Sequence, residues 1–157
     1  MSGRLSVHKH KSRIDAAFSR AASIPSQGET QSDFAKYLCI LTAGYIEKSI
    51  SEILTEHARR CGSPSLQRYI GRNIKKFTNA NTEKILQLLG SFDPTWHDTM
   101  AKELVDEYKE AIDSVYGLRN TIAHGGSTGL TLARMKDYYK LITKSIETTL
   151  DLCIPDP

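Results

Sequence analysis

From about Thr30 to Cys61 the chain places an apolar residue every three or four positions along two stripes at once. Phe34, Leu38, Leu41 and Tyr45 form one stripe, and Cys39, Ala43, Ile46, Ile50 and Ile53 form the other. That spacing is the 3.6-residue period of an α-helix. A helix apolar on two sides has to be covered on both, so this segment belongs at the centre of a helical bundle.

The remaining segments read as helices around it, and no β-type alternation persists. A first helix is predicted over about Val7 to Ile24, ended by the Pro25-Ser26-Gln27-Gly28 punctuation. Gly62 is the stop of the central helix. Two shorter helices follow, about Pro64 to Phe77 and Thr82 to Leu89, the second stopped by Gly90. Asp93-Pro94 then looks like an N-cap with proline at the first helical position. From there one long helix is predicted as far as His124, ended by Gly125-Gly126, with the stripe Leu104, Tyr108, Ala111, Val115, Leu118 and Ile122. A last helix from about Leu130 to Leu152 carries Leu132, Met135, Tyr139, Ile142, Ile146 and Thr149. The expectation is all-α: a compact bundle of about five to six helices in one domain, residues 1–157. Residues 1–30 are the candidate for a less tightly packed N-terminal helix.

Bulk properties fit one globular domain: 157 residues, 39% hydrophobic and 25% charged, with a net charge of +3. So mild a positive charge permits a polyanionic partner without demanding one. The three cysteines, Cys39, Cys61 and Cys153, form no CxxC pair. Cys39 and Cys153 lie in apolar helical stretches and read as core residues, so neither a disulfide framework nor a zinc site is expected. A reducing, cytoplasmic setting follows. The start, MSGRLSVHKHKSR, has no apolar h-region, and the longest apolar run, Tyr37 to Ile46, is too short to span a bilayer. There is no phosphate loop, HExxH or GxSxG, and no cofactor is expected.

The segment most informative about chemistry is Leu118-Arg119-Asn120-Thr121-Ile122-Ala123-His124-Gly125-Gly126. On a wheel of about 100° per residue the apolar stripe centres on Leu118 and Ile122. Asn120 and His124 share a face roughly opposite it, Asp113, Tyr116 and Gly117 fall on that same side, and Arg119 lies on the stripe's flank. A histidine in the last turn has its charged form favoured by the helix dipole, by roughly 0.3–1 kcal/mol at an exposed site. An imidazole titrating near neutral pH serves as general acid or base. Arg119 offers a planar fork for phosphate, and the two glycines let a bulky ligand come close. In RNA the 2′-OH itself can attack the adjacent phosphorus, with no metal required. One histidine cannot readily be base and leaving-group acid at once, whereas two copies related by a twofold axis could divide those roles. The bland alternative is a satisfied surface histidine.

LRNTIAHGG resembles the R-x4-6-H signature of HEPN domains, with Asn120 as the polar residue that follows the arginine. Gly44-Tyr45-Ile46-Glu47 on the upstream long helix and Gly129-Leu130-Thr131-Leu132 opening the last one are similar to the RiboL-PSP group of that superfamily. The likeness runs from about Asp33 to Leu152. It implies a homodimer with the two motifs facing each other and metal-independent endoribonuclease activity, often in toxin–antitoxin or phage-defence settings. It also implies that Arg119, His124 and Asn120 form the catalytic set, with an antitoxin or other defence protein as a further partner. Some HEPN toxins extend the motif to a tyrosine two residues beyond the histidine, a position held here by Gly126.

Other residues are open to two readings. Glu47 interrupts an apolar region and either orients Arg119 or is an exposed charge beside Lys48. Tyr116 is a supporting candidate through its place on the outward face. Arg68, Arg72, Lys75 and Lys76 recur at helical spacing, as a surface for RNA phosphates or as a solvated face. His8 and His10 sit in an exposed basic start, and Trp96-His97 read as packing where a helix begins. For the protein as a whole, two alternatives stand beside the nuclease: a non-catalytic HEPN-like RNA- or nucleotide-binding module, and a helical scaffold in which Arg119 and His124 only cap.

Overall fold

The computed structural model describes residues 2–25 and 28–157. Its order is α1 (Gly3–Ala21), α2 (Glu29–Cys61), α3 (Pro64–Ile74), α4 (Thr82–Phe92), α5 (Pro94–Glu103), α6 (Asp106–Ala123) and α7 (Leu132–Cys153), with no strand among the described residues. Of the Pro25–Gly28 punctuation, Ser26 and Gln27 lie outside the described residues.

The two-stripe helix is central, as its pattern requires. α2 is flanked by α1, α3, α6 and α7. Leu38, Cys39, Tyr45, Ile46, Ile50, Ile53 and Leu54 are all buried. α1 lies along α2 with Val7, Ile14, Ala17 and Ala21 inside, and its start is pinned to α2 by Glu56. That buried carboxylate accepts from the Gly3 N–H at 3.3 Å and pairs with Arg60 at 3.0 Å and with Arg59. A Cβ at Gly3 would come within 2.6 Å of the Glu56 Cβ, so this contact needs glycine.

Several predicted boundaries are corrected. α1 runs from Gly3 to Ala21 rather than from Val7 to Ile24, and α3 ends at Ile74 rather than Phe77. Gly90 does not stop α4, which continues to Phe92. Its role is close packing: a Cβ there would lie 3.1 Å from the His97 Cβ on α5. The long helix expected from Pro94 to His124 is two helices, which raises the number of helices to seven among the described residues. At Leu104 the backbone turns (φ −87°, ψ 61°), Val105 is extended and Asp106 takes a positive φ of 51°. No glycine or proline marks this break. The i, i+4 spacing of Leu104 and Tyr108 bridges it and mimics one continuous stripe. The turn sends α5 along α4 and α7, and α6 along α2, α7 and α4.

Capping follows local sequence. Ser63, Asn81, Asp93 and Thr131 accept from backbone N–H groups at the starts of α3, α4, α5 and α7, where these side chains satisfy donors that the helix leaves open. Cys39 and Cys153 are buried and Cys61 is exposed. The Cys39 thiol donates to the Val115 carbonyl at 3.5 Å, and burial pushes its pKa to about 11. No helix is long and apolar enough to cross a membrane, among the described residues.

Candidate functional site

The end of α6 is fixed by its own glycines. Gly125 has φ +75°, and its N–H donates to the Ile122 carbonyl at 3.0 Å. The Gly126 N–H reaches the Thr121 carbonyl at 2.8 Å. These paired bonds form a Schellman stop, which puts His124 in the cap position just past the last helical residue. Gly126 has no room for a side chain, since a Cβ there would sit 2.6 Å from the Thr121 Cγ2. The tyrosine that some HEPN toxins carry at this place is therefore incompatible with this turn.

His124 and Asn120 are both exposed, as the wheel predicts. They are tied through the backbone alone, with the His124 N–H donating to the Asn120 carbonyl at 3.2 Å. Neither side chain has a hydrogen-bond partner among the described residues.

Arg119 points elsewhere. Its Nη1 lies 3.2 Å from Glu47 Oε1 and 3.2 Å from Asn79 Oδ1. The same Glu47 oxygen accepts the Asn79 backbone N–H at 2.9 Å, which closes a three-residue ring of contacts. Glu47 thus pairs with Arg119 rather than standing as a free charge beside Lys48. The pair is only partly sheltered, with side-chain exposures of 33% for Arg119 and 20% for Glu47. Both acceptors engage Nη1. Among the described residues no acceptor engages Nη2 or Nε, whose N–H groups are the ones left for another oxygen ligand.

Tyr116 is corrected. The wheel predicts it on the outward face with Asn120, yet it is 3% exposed and its hydroxyl donates to the Ala43 carbonyl at 2.9 Å. α6 is covered on three sides, so its buried arc extends past the Leu118–Ile122 stripe, and the ring fills the seam with α2. Burial, with the Glu47 charge second, pushes the phenol far above its usual range, so Tyr116 moves no proton near neutrality. Its ring lies 5.9 Å below the Arg119 guanidinium and supports it from inside the bundle. Asp113, from the same expected face, is half-buried and ties α6 to α4. It accepts from the Thr82 N–H at 2.9 Å and from Lys109 at 2.6 Å. Burial works against its charge, but these donors outweigh it and lower its pKa.

Asn79 escaped the sequence reading. The usable signal was small: a polar Thr78-Asn79 pair between helices, asparagine being among the few residues that accept a left-handed backbone. Its φ is 54°. Nothing local announces that its amide meets an arginine on α6.

Arg68, Arg72, Lys75 and Lys76 are all exposed. The first two lie on α3, Lys75 caps it and Lys76 is in the following turn. This group does not touch Arg119. It adjoins through a hollow of about 510 Å³ between α2 and α3, lined by Glu47 and Lys75 among others. His8 is paired with Glu147 of α7 at 2.9 Å, and Trp96 is buried against His57 and Phe92. Among the described residues no three His, Cys, Asp or Glu side chains converge as a metal set would.

A protein-family model described as RiboL-PSP-HEPN matches residues 8–154, a span that includes every residue of the Glu47–Arg119–His124 region. Neither the curated proteins nor the solved structures searched contain a match.

Proposed function

The chain belongs to the RiboL-PSP-HEPN family, and from that premise we propose that it is an endoribonuclease that acts as a homodimer on single-stranded or looped RNA. The observation that carries this reading is the division of labour at the end of α6. An arginine is braced at Nη1 by Glu47 and Asn79, and five residues on, at a glycine-built helix end, stands an exposed imidazole with no hydrogen-bond partner among the described residues.

The proposed reaction is a transesterification within the strand. The 2′-oxygen attacks the adjacent phosphorus, forming the O2′–P bond as the P–O5′ bond breaks. One His124 takes the 2′-hydroxyl proton and the His124 of a second copy protonates the departing 5′-oxygen. The products are a 2′,3′-cyclic phosphate and a 5′-hydroxyl. Arg119 stabilises charge on the phosphoryl oxygens, a contribution worth about 10²–10³ in rate for one well-placed donor. Asn120, exposed beside His124, positions the strand. A toxin–antitoxin or phage-defence role, with a protein that restrains the enzyme, suits an activity this destructive.

The test is incubation of the pure protein with end-labelled RNA in EDTA, reading the product ends. Cyclic phosphate termini, lost in His124→Ala with the fold retained, are expected. Undiminished cleavage in His124→Ala removes the proposal. A second reading, a binding module without catalysis, draws on Arg119 already having an in-chain carboxylate partner. It predicts RNA binding without products in the same assay.

A further inference from the structure

A second hollow lies away from the Arg119–Glu47 pair. It is an open groove of about 740 Å³ between the last turns of α2, the helix α3 and the end of α4. That volume is within the roughly 300–1,000 Å³ usual for small-ligand sites. Its walls are rich in rings: Tyr69 and Phe77 from the α3 side, His57 from α2 and Phe92 from α4. The floor is held in place, since the His57 ring meets Trp96 edge-on at 4.7 Å and Phe92 lies parallel to Trp96 at 6.4 Å. Tyr69, by contrast, is 66% exposed, a large aromatic left at the mouth. Asn73 and Ser91 add polar edges.

One cation, Lys76, lines the groove, and three more stand on the same segment outside its lining. From Pro64 to Phe77 the chain carries Arg68, Arg72, Lys75 and Lys76 and no carboxylate. Among the described residues none of the four is ion-paired. A partner that inserts flat, ring-sized groups while carrying negative charge on its backbone matches both features, and that is the chemistry of an unpaired nucleic-acid strand. The groove is also continuous with the candidate catalytic region. Ile74 and Phe77 line it and the smaller hollow that reaches Glu47.

We propose that this groove receives unpaired bases of the RNA strand, with Tyr69 as the stacking platform and Arg68, Arg72, Lys75 and Lys76 on the phosphates, so that the strand runs from Tyr69 past Lys75 to Arg119. The inference rests on RNA being the substrate. It is tested with a 2′-O-methyl oligonucleotide, which lacks the attacking hydroxyl and so separates binding from cleavage. The strand carries one 2-aminopurine, whose fluorescence falls when it stacks.

Full-length wild-type protein is expected to bind the strand and quench the probe. Tyr69→Ala should weaken binding roughly 5- to 150-fold, as loss of one stacked base does, and abolish the quench, while Tyr69→Trp restores both. Because Tyr69 is largely exposed, these variants keep the fold, which a melt verifies. Neutralising all four cations should flatten the plot of log Kd against log salt by about three units of slope. Equal Kd and equal quenching in wild type and Tyr69→Ala overturn the inference and leave the groove to a protein partner. If wild-type protein cleaves ordinary RNA yet shows none of these effects, the groove assignment fails and the nuclease reading stands. If Tyr69-dependent binding is seen without any cleavage, the groove assignment stands and the nuclease reading fails.

Discussion

Arg119 on α6 and Glu47 on α2 meet at 3.2 Å, and Asn79, from the loop before α4, contacts both. A partly exposed pair of this kind contributes only about 0–1 kcal/mol to stability. On the proposed nuclease reading its value lies in orientation, because it spends one arm of the guanidinium inside the protein and leaves the other for a phosphate. Glu47→Gln should therefore barely shift the melting temperature yet slow RNA cleavage about ten- to hundredfold, as misplaced groups do. Arg119→Lys should not rescue Arg119→Ala, since an ammonium has no fork to divide. Single-turnover rates beside thermal melts check this, and a Glu47→Gln that melts early at unchanged rate contradicts it.

Asn79 gives a cleaner separation of backbone from side chain. Its φ of 54° favours glycine, so Asn79→Gly keeps the loop and the N–H to Glu47 while deleting the amide oxygen that Arg119 touches. The expected result is a near-native melt and a reduced cleavage rate. Asn79→Ala should lose the same contact and also about 1–2 kcal/mol of stability from left-handed strain. Denaturant unfolding of the two variants tests the difference.

The stop after His124 predicts a specific coupling. Gly126→Ala forces its new Cβ against the Thr121 methyl at 2.6 Å and should cost about 1–3 kcal/mol, the usual penalty of overpacking. Thr121→Ser removes that methyl but keeps the hydroxyl bond to the Gly117 carbonyl, so the double variant should recover much of the loss. A double-mutant cycle with no coupling energy would show that the turn tolerates a side chain after all.

His10 supplies the pH dependence. Its pKa lies below the ordinary 6.5 because burial disfavours the cation, with Lys48, Arg13 and Lys9 adding to the effect and Glu52 opposing it. Its Nε2 is buried with no partner among the described residues. The unfolded chain thus binds this proton more readily than the folded one. The contribution is fully present above pH 6.5 and is lost as pH falls through that value toward the folded pKa. Replacing His10 by glutamine should flatten the loss of stability measured just below pH 6.5. An unchanged slope would assign that loss to other groups.

How far the sequence could be read depended on whether the signal was local. α2 was legible because both of its stripes lie within one uninterrupted run. The stop at Gly125–Gly126 was legible because a left-handed cap selects glycine. The break at Leu104–Asp106 was not, because non-glycine residues make the turn and the flanking apolar spacing matches a continuous helix. The wheel misplaces Tyr116 for a related reason: its burial is set by packing against α2, which a wheel for one helix does not contain. At the candidate site, Arg119, Asn120 and His124 came from a motif and the Glu47 partnership was one of two readings. Asn79 joins them only through tertiary contacts.

The claim on which the rest turns is that each cutting centre draws an imidazole from two copies of the chain. It is tested most directly by mixing wild-type protein with His124→Ala at increasing ratio, allowing subunits to exchange, and following RNA cleavage at constant total protein. A centre shared across a twofold axis predicts activity that falls as the square of the wild-type fraction, because mixed pairs are inactive. A fall strictly proportional to that fraction would mean that each copy cuts alone, and would contradict the account.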